Sequence, residues 1–361
     1  MKAHDFDSTK KQPATGVLTP ELSPDGQHVV FVALNQLWEM KIGHRPVALT
    51  NSPWAKATPA WSPDGQYLAY ASDKNGPMAI YIRNMDTGAT RRLTAPFTGA
   101  QAKLAWSPDG KKIAFDSALD SEAGSQALYV ADVASGQFRQ IFGPQNAKGA
   151  SYEIAFEPGA PSWGPDSNTI ALAVQQSYTT RFREGESEIL TVNATTGDTH
   201  EYDPYPYETI TNRVEGDGPV WSPDGKYMAY VLDDVLWVLP VTPSGAPAGP
   251  PEQLTDEVAD QLSWSGDSQH ILYDSAGTLR MVSVNGGPPT TVPVQLNWRP
   301  QAAPTGEKVI HAGTDGQAQA GPRNTTSTSW SRATASLASD PPSRARPTVP
   351  GSSTSMRPET R

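Results

Sequence analysis

The sequence predicts an all-β fold: a six-bladed β-propeller of four-stranded antiparallel blades, followed by a disordered C-terminal tail. Three observations carry that prediction. A five-residue signature recurs six times: "WSPDG" at residues 61–65, 106–110 and 221–225, "LSPDG" from Leu22, "WGPDS" from Trp163 and "WSGDS" from Trp264. Its aspartates, Asp25, Asp64, Asp109, Asp166, Asp224 and Asp267, are spaced by 39, 45, 57, 58 and 43 residues, and four-stranded blades repeat on that scale. The 361 residues include 30 Gly and 34 Pro, and only 18% are charged, which suits short strands joined by turns rather than helices.

Within each repeat the elements follow in order. A first strand ends on Trp or, once, Leu22. The Pro-Asp-Gly turn follows: Pro presets φ, Asp bonds nearby backbone N–H groups and Gly accepts a positive φ. These six aspartates are therefore read as structural blade turns, not as ligands of one ion, which would require them to converge. A second strand follows. Four residues after the Asp it carries Val29, Leu68, Ile113, Ile170, Met228 and Ile271, and six after it Phe31, Tyr70, Phe115, Leu172, Tyr230 and Tyr273. The position between is mostly alanine. Large side chains on one face and small ones on the other suit a sheet sandwiched between two neighbours. A third strand, such as "QALYVADV", and a turn, such as "DTG" at Asp86 or "NGG" at Asn285, lead to a fourth.

An antiparallel meander puts the turns between first and second and between third and fourth strands on one side of the disc. The other side receives the second–third turns and the links between blades. The long insertions, residues 116–126, 143–161, 175–187 and 200–218, all belong to that second side. The sequence thus predicts one elaborated, looped face, richest over the third to fifth blades. Its candidate interaction residues are Tyr178, Arg181, Arg183, Glu184, Tyr202, Tyr205, Tyr207 and Arg213, because tyrosine and arginine are enriched among residues that dominate binding energy.

The chemistry classes narrow quickly. The net charge of −10 argues against nucleic acid, since phosphate binding needs a basic surface. With no cysteine there is no disulfide frame, thiol nucleophile or Cys-ligated zinc. The six histidines, His4, His28, His44, His200, His270 and His311, form no H-x-H or H-E-x-x-H, so neither a catalytic residue nor a metal ligand is assigned and no cofactor is expected. No G-x-S-x-G elbow, P-loop or dinucleotide fingerprint occurs. No apolar run is long enough to span a membrane, and the N-terminal "MKAHDFDSTKKQPATG" has no apolar core of an export signal. The chain as written therefore reads as cytoplasmic.

From Thr314 onward Ser, Thr, Pro, Ala and Arg dominate, and six arginines stand against three acidic residues. Such a segment buries too little apolar surface to offset its ordering entropy. Its residue types are those of GC-rich codons, as an out-of-frame reading gives. The expected organisation is an N-terminal extension at 1–15, the propeller at 16–300, a short strand at 301–313 and the tail at 314–361.

"WSPDGQYLAYASDKNG" with "AIYIRNMDTGATRRLT" resembles the repeat of the TolB-like propeller family. "LSPDGQHVVFVALNQLWEMKIGHRPVALT", "RFREGESEILTV" and "GEKVIHAGT" are similar to the propeller part, and the entry strand that follows it, of bacterial propeller–amidohydrolase fusions. That resemblance implies a parent metal hydrolase acting on C–N bonds, exported to the periplasm or beyond, with its zinc or similar divalent ion bound downstream of this chain. It implies a non-catalytic propeller that holds a protein or peptide partner or flanks the missing hydrolase domain. Two other readings remain: a stand-alone interaction propeller, and the gating propeller of a prolyl-oligopeptidase-like peptidase.

Overall fold

The computed structural model describes residues 12–13, 16–95, 97–118, 126–143, 159–177, 185–205, 208–211 and 217–298. Among them there are six four-stranded antiparallel sheets and no helix. Blade 1 is Leu18–Leu22, His28–Ala33, Gln36–Lys41 and Val47–Ala48. Blade 2 is Lys56–Trp61, Tyr67–Ser72, Ala79–Asn84 and Thr90–Arg92. Blade 3 is Ala100–Trp106, Lys112–Ala118, Ala127–Asp132 and Phe138–Phe142. Blade 4 is Ser162–Trp163, Thr169–Ser177, Gly185–Asn193 and Thr199–Tyr202. Blade 5 is Val220–Trp221, Tyr227–Leu232, Val235–Pro240 and Glu252–Gln253. Blade 6 is Asp260–Trp264, His270–Ser275, Thr278–Ser283 and Thr290–Thr291.

The first strand of each blade touches the first strands of both neighbours, including blade 1 against blade 6. The first strands therefore ring the axis, and the fourth strands form the rim. Every blade is built from its own repeat, so no strand is exchanged at the closure. The chain closes in a different way: Gln12–Pro13, within the expected N-terminal extension, pairs antiparallel with Asn297–Trp298.

The alternation read from the second strands organises the core. In blade 2, Leu68 and Tyr70 pack toward blade 1, and Ala69 packs toward blade 3. Blade 3 repeats this with Ile113 and Phe115 against Ala114, and blade 4 with Ile170 and Leu172 against Ala171. Large residues thus meet the preceding blade and alanine the following one, except that in blades 1 and 6 Val30 and Leu272 occupy the alanine position. Six apolar clusters result, one at each seam between blades. A fully buried side chain of this size stabilises the fold by about 1.5–3 kcal/mol.

The signature turns are small hydrogen-bonded units. Ser62 Oγ donates to Asp64 Oδ1 at 2.6 Å, and that oxygen accepts Gln66 N–H at 3.0 Å. Ser62 Oγ also accepts Tyr67 N–H at 2.9 Å. Asp25, Asp109, Asp224 and Asp267 accept the same pair of bonds. In blade 4 Gly164 replaces the Ser, and Thr169 supplies the hydroxyl to Asp166 instead. Serine hydroxyl donation, then backbone donation, holds the carboxyls of Asp25 and Asp267 below the usual range.

Three expected loops are partly strand: residues 116–118 end the second strand of blade 3, residues 200–202 belong to the fourth strand of blade 4, and the third departs furthest. Residues 175–187 read as a connection because they are polar, yet Gln175, Gln176 and Ser177 pair with Ser187, Glu186 and Gly185. Backbone pairing extends past the packed region, where side chains need not be apolar, and leaves a connection of residues 178–184 only.

Candidate functional site: the axial channel and its looped mouth

The six first strands enclose a channel of about 510 Å³ along the axis. Its end at the signature turns is walled by Pro24, Pro63, Pro108, Pro165 and Pro223. Its other end opens on the looped face, where the residues six before each turn Asp stand. Those positions read Thr19, Thr58, Lys103, Ala160, Gly218 and Gln261.

Five of these six have left-handed backbone: φ is 47° at Thr19, 43° at Thr58, 52° at Lys103, 106° at Gly218 and 56° at Gln261. For a β-branched threonine that conformation is a genuine outlier, and strain of this kind costs about 1–3 kcal/mol per residue. It coincides with β-bulges in blades 1, 2, 3 and 6. A bulge re-aims a side chain that a regular strand would turn away. Here it turns polar side chains to the channel mouth. At Gly218 no side chain fits, since a Cβ would lie 2.6 Å from the Ala229 carbonyl oxygen.

Two charged side chains line the channel. Lys103 Nζ lies 3.3 Å from Asp116 Oδ2; the Asp116 side chain is buried and that of Lys103 half-buried. Burial raises the Asp116 carboxyl and Lys103 opposes the rise. Glu21 has no such cation. Its side chain is half-buried beside the channel. Desolvation, partly offset by a bond from Ser263, pushes its carboxyl up to about 8. Ser263 Oγ donates to Glu21 Oε2 at 3.1 Å and accepts Leu22 N–H at 2.9 Å. Gln261 accepts Thr19 N–H through its side chain and donates its own N–H to Asp217 at 3.0 Å.

Around the mouth, the looped face is apolar in places. Seven large hydrophobic residues are exposed among the described residues: Leu18, Leu34, Val47, Trp54, Tyr67, Tyr205 and Val258. Five sit on the looped face. Leu18 begins the first strand of blade 1, Leu34 is in its second–third turn, and Trp54, Tyr205 and Val258 are in links between blades. Four of the five cluster over blades 6, 1 and 2, whereas length alone pointed to blades 3–5.

Of the eight interaction residues expected from sequence, Tyr178, Arg181, Arg183, Glu184, Tyr207 and Arg213 lie outside the described residues. Tyr205 is exposed, with its ring 5.9 Å from that of Trp237. Tyr202 is half-buried against the core between blades 4 and 5. Sequence reasoning missed Glu21, Lys103, Gln261 and Ser263. For Lys103 and Gln261 the available signal was a polar residue six before the turn Asp, as in four of the six repeats; Glu21 and Ser263, four before it, shared no such signal. Hydroxyl, amide, carboxyl, ammonium and indole groups of this kind bind ligands; the channel lining contains no histidine. Among the described residues no group of three or more His, Asp or Glu could hold a metal ion.

Residues 4–154 match the family model described as TolB beta propeller domain. The Tol-Pal system protein TolB of Francisella tularensis subsp. mediasiatica is 28% identical over 229 residues, 61% of this chain and 46% of that protein. The uncharacterized peptidase YuxL of Bacillus subtilis is 25% identical over 227 residues, 59% of this chain and 29% of that protein. The crystal structure of TolB from Acinetobacter baumannii superimposes with a TM-score of 0.53 at 18% identity, over 75% of this chain and 62% of that one; at this identity the likeness is one of fold. This chain spans less than half the length of these two curated relatives.

Proposed function

We propose that this TolB-like six-bladed propeller is a non-catalytic binding module that docks a protein or peptide segment on its looped face, over the mouth of the axial channel. The observation that supports it most is the placement of exposed apolar residues: five of seven fall on one face, beside a ring of strained polar positions. Scattered exposed apolar residues are ordinary, but a set gathered on one polar-rimmed face suits docking. The test is capture of a partner by the immobilised chain. Leu18→Ser with Trp54→Ser abolishes capture, while Val47→Ser, on the rim strand of blade 1, leaves it intact. Equal capture by all three overturns the reading. Arg181→Ala and Tyr205→Ala report whether the long loops over blades 3–5 take part.

The finer reading places this propeller in an exported parent, beside a metal-dependent amidohydrolase domain. It rests on "GEKVIHAGT", which lies outside the described residues. The peptidase relative, more than three times the matched length, favours a second reading in which the propeller flanks a peptidase domain. The coding sequence downstream of Thr314 separates them: an H-x-H run supports the first and a G-x-S-x-G elbow the second. Fractionation of the full parent tests export.

A further inference from the structure

Two blades carry an acid at the same register, and only one of them supplies its counter-charge. Asp116 in blade 3 and Asp274 in blade 6 each stand seven residues after their turn aspartate. Asp116 lies opposite Ala102 and takes the ammonium of Lys103. Asp274 lies opposite a second carboxylate, Asp260. The residue that matches Lys103 is Gln261, whose side-chain oxygen is taken by the Thr19 N–H. Opposed residues share one face of a sheet, and like charges placed so are destabilising. Asp274 is 7% exposed; one of its oxygens accepts the Gly277 N–H at 2.8 Å, and the other, also buried, has no partner. The Asp234 carbonyl accepts the Ala259 N–H at 2.8 Å, which holds the acidic turn of Asp233 and Asp234 next to Asp260. Burial, then the charges of Asp274 and Asp234, raise the Asp260 carboxyl above its ordinary range. Among the described residues no cation pairs with Asp260 or Asp274. Arg280, the only Lys or Arg of blade 6, is held by Glu257 at 2.8 Å.

Exposed apolar side chains adjoin these acids. Val258 is two residues before Asp260, and Leu18 is next to Thr19, which bonds Gln261 beside Asp260. Acids interleaved with apolar groups complement a segment in which basic and apolar side chains alternate. We propose that the looped face over blades 5, 6 and 1 binds a basic, apolar peptide segment. A Lys or Arg of that segment meets Asp260, with Asp274 and Asp234 behind it, and its apolar side chains cover Val258 and Leu18. This rests on the docking reading above and names the chemistry of what docks. The incoming cation does for blade 6 what Lys103 does for blade 3: it sets a positive charge beside carboxylates that folding has desolvated. An acidic segment is excluded, because it also meets the exposed Asp233, Asp234 and Asp256. Among the described residues these carboxylates do not converge as a metal ion requires.

Acetylated, amidated Leu-Lys-Gly-Lys-Leu is the probe, titrated calorimetrically into the full chain at about 50 mM and about 300 mM salt. Saturable binding is expected, weaker at the higher salt, with none by Leu-Glu-Gly-Glu-Leu. Asp260→Asn weakens binding about tenfold or more, Asp260→Glu keeps most of it, Val258→Ser weakens it, and Glu252→Gln on the rim changes nothing. Asp260→Asn removes a like-charge pair, so its Tm is expected at or above that of the wild type, and lost binding then reports the charge rather than the fold. No saturable binding, equal binding of the acidic peptide, or equal binding by Asp260→Asn overturns the proposal; the first two need no variant to fold. Displacement of the peptide by calcium at constant ionic strength also overturns it, in favour of a metal site. If the peptide binds as expected but the Leu18→Ser/Trp54→Ser chain still captures its partner, the docking reading falls alone. If capture depends on those residues but the peptide does not bind, only the basic chemistry of the segment falls.

Discussion

The six seams between blades are not alike. At four of them a signature tryptophan reaches back: Trp61, Trp106, Trp163 and Trp264 donate their indole N–H to the carbonyls of Glu21, Ala60, Ala105 and Val220, at 3.0–3.4 Å. At the other two, a serine of the preceding blade accepts a main-chain N–H. Ser162 accepts Trp221 N–H at 2.8 Å, and Ser263 accepts Leu22 N–H at 2.9 Å. The residue four before the turn Asp decides which lock is used. Alanine, valine or, in blade 1, glutamate leaves its carbonyl to the next indole, whereas serine offers its hydroxyl to the next main chain. Only the seam between blades 6 and 1 lacks the tryptophan altogether: Leu22 stands at its position and packs in that seam. The lesson is that repetition supplies the common lock and departure from it marks where the ring can respond to its surroundings.

The largest effect comes from breaking an indole lock. Trp264→Ala removes a buried ring between blades 5 and 6 and is expected to cost about 3–5 kcal/mol, read as a lower midpoint in urea unfolding.

The serine seam between blades 6 and 1 carries a pH dependence that the indole seams do not. Glu21 is protonated in the folded chain up to about pH 8, but ionises near 4.5 when unfolded. The unfolded state therefore binds fewer protons across that window, so stability falls as pH rises from 4.5 to 8 and the loss is complete above 8. The loss is roughly 2–4 kcal/mol once solvent in the channel is allowed for. Glu21→Gln flattens this slope. A wild-type Tm unchanged between pH 5.5 and pH 9, relative to Glu21→Gln, contradicts it.

Restoring the repeat consensus at the same seam sharpens the contrast. Gly266→Pro recreates "SPDS", yet a Cβ there would lie 2.0 Å from the Pro24 carbonyl oxygen of blade 1. Overpacking of about 1–3 kcal/mol is expected, so a consensus change destabilises, as thermal unfolding will show. The smallest effect is the control. Asp64→Ala and Asp267→Ala each remove the same two turn bonds and should cost about 1 kcal/mol alike, because the turns do not differ between seam types.

The blade architecture was legible because it is written in local terms. A turn needs its own Pro, Asp and Gly, and a sandwiched strand needs large and small residues in alternation, so Leu68, Ala69 and Tyr70 disclose both faces at once. The site was not legible for the opposite reason. Glu21 meets Ser263 across 242 residues of sequence, and what makes it chemically unusual is the desolvation that only the folded ring imposes. Length drew attention to residues 143–161 and 200–218, but Trp54 and Val258 sit in links of ordinary length, where only exposure distinguishes them. The bulges at Thr19 and Thr58 leave no sequence mark, since threonine is the last residue one expects at positive φ.

The two-residue ladder between Gln12–Pro13 and Asn297–Trp298 brings the chain back to its starting point after one circuit. A circular permutant, cut in the link after Ala48 and joined by a short Gly-Ser bridge across residues 12 and 298, would keep all six sheets intact. Chain order around the axis would then be free to change while the wheel itself stays the same.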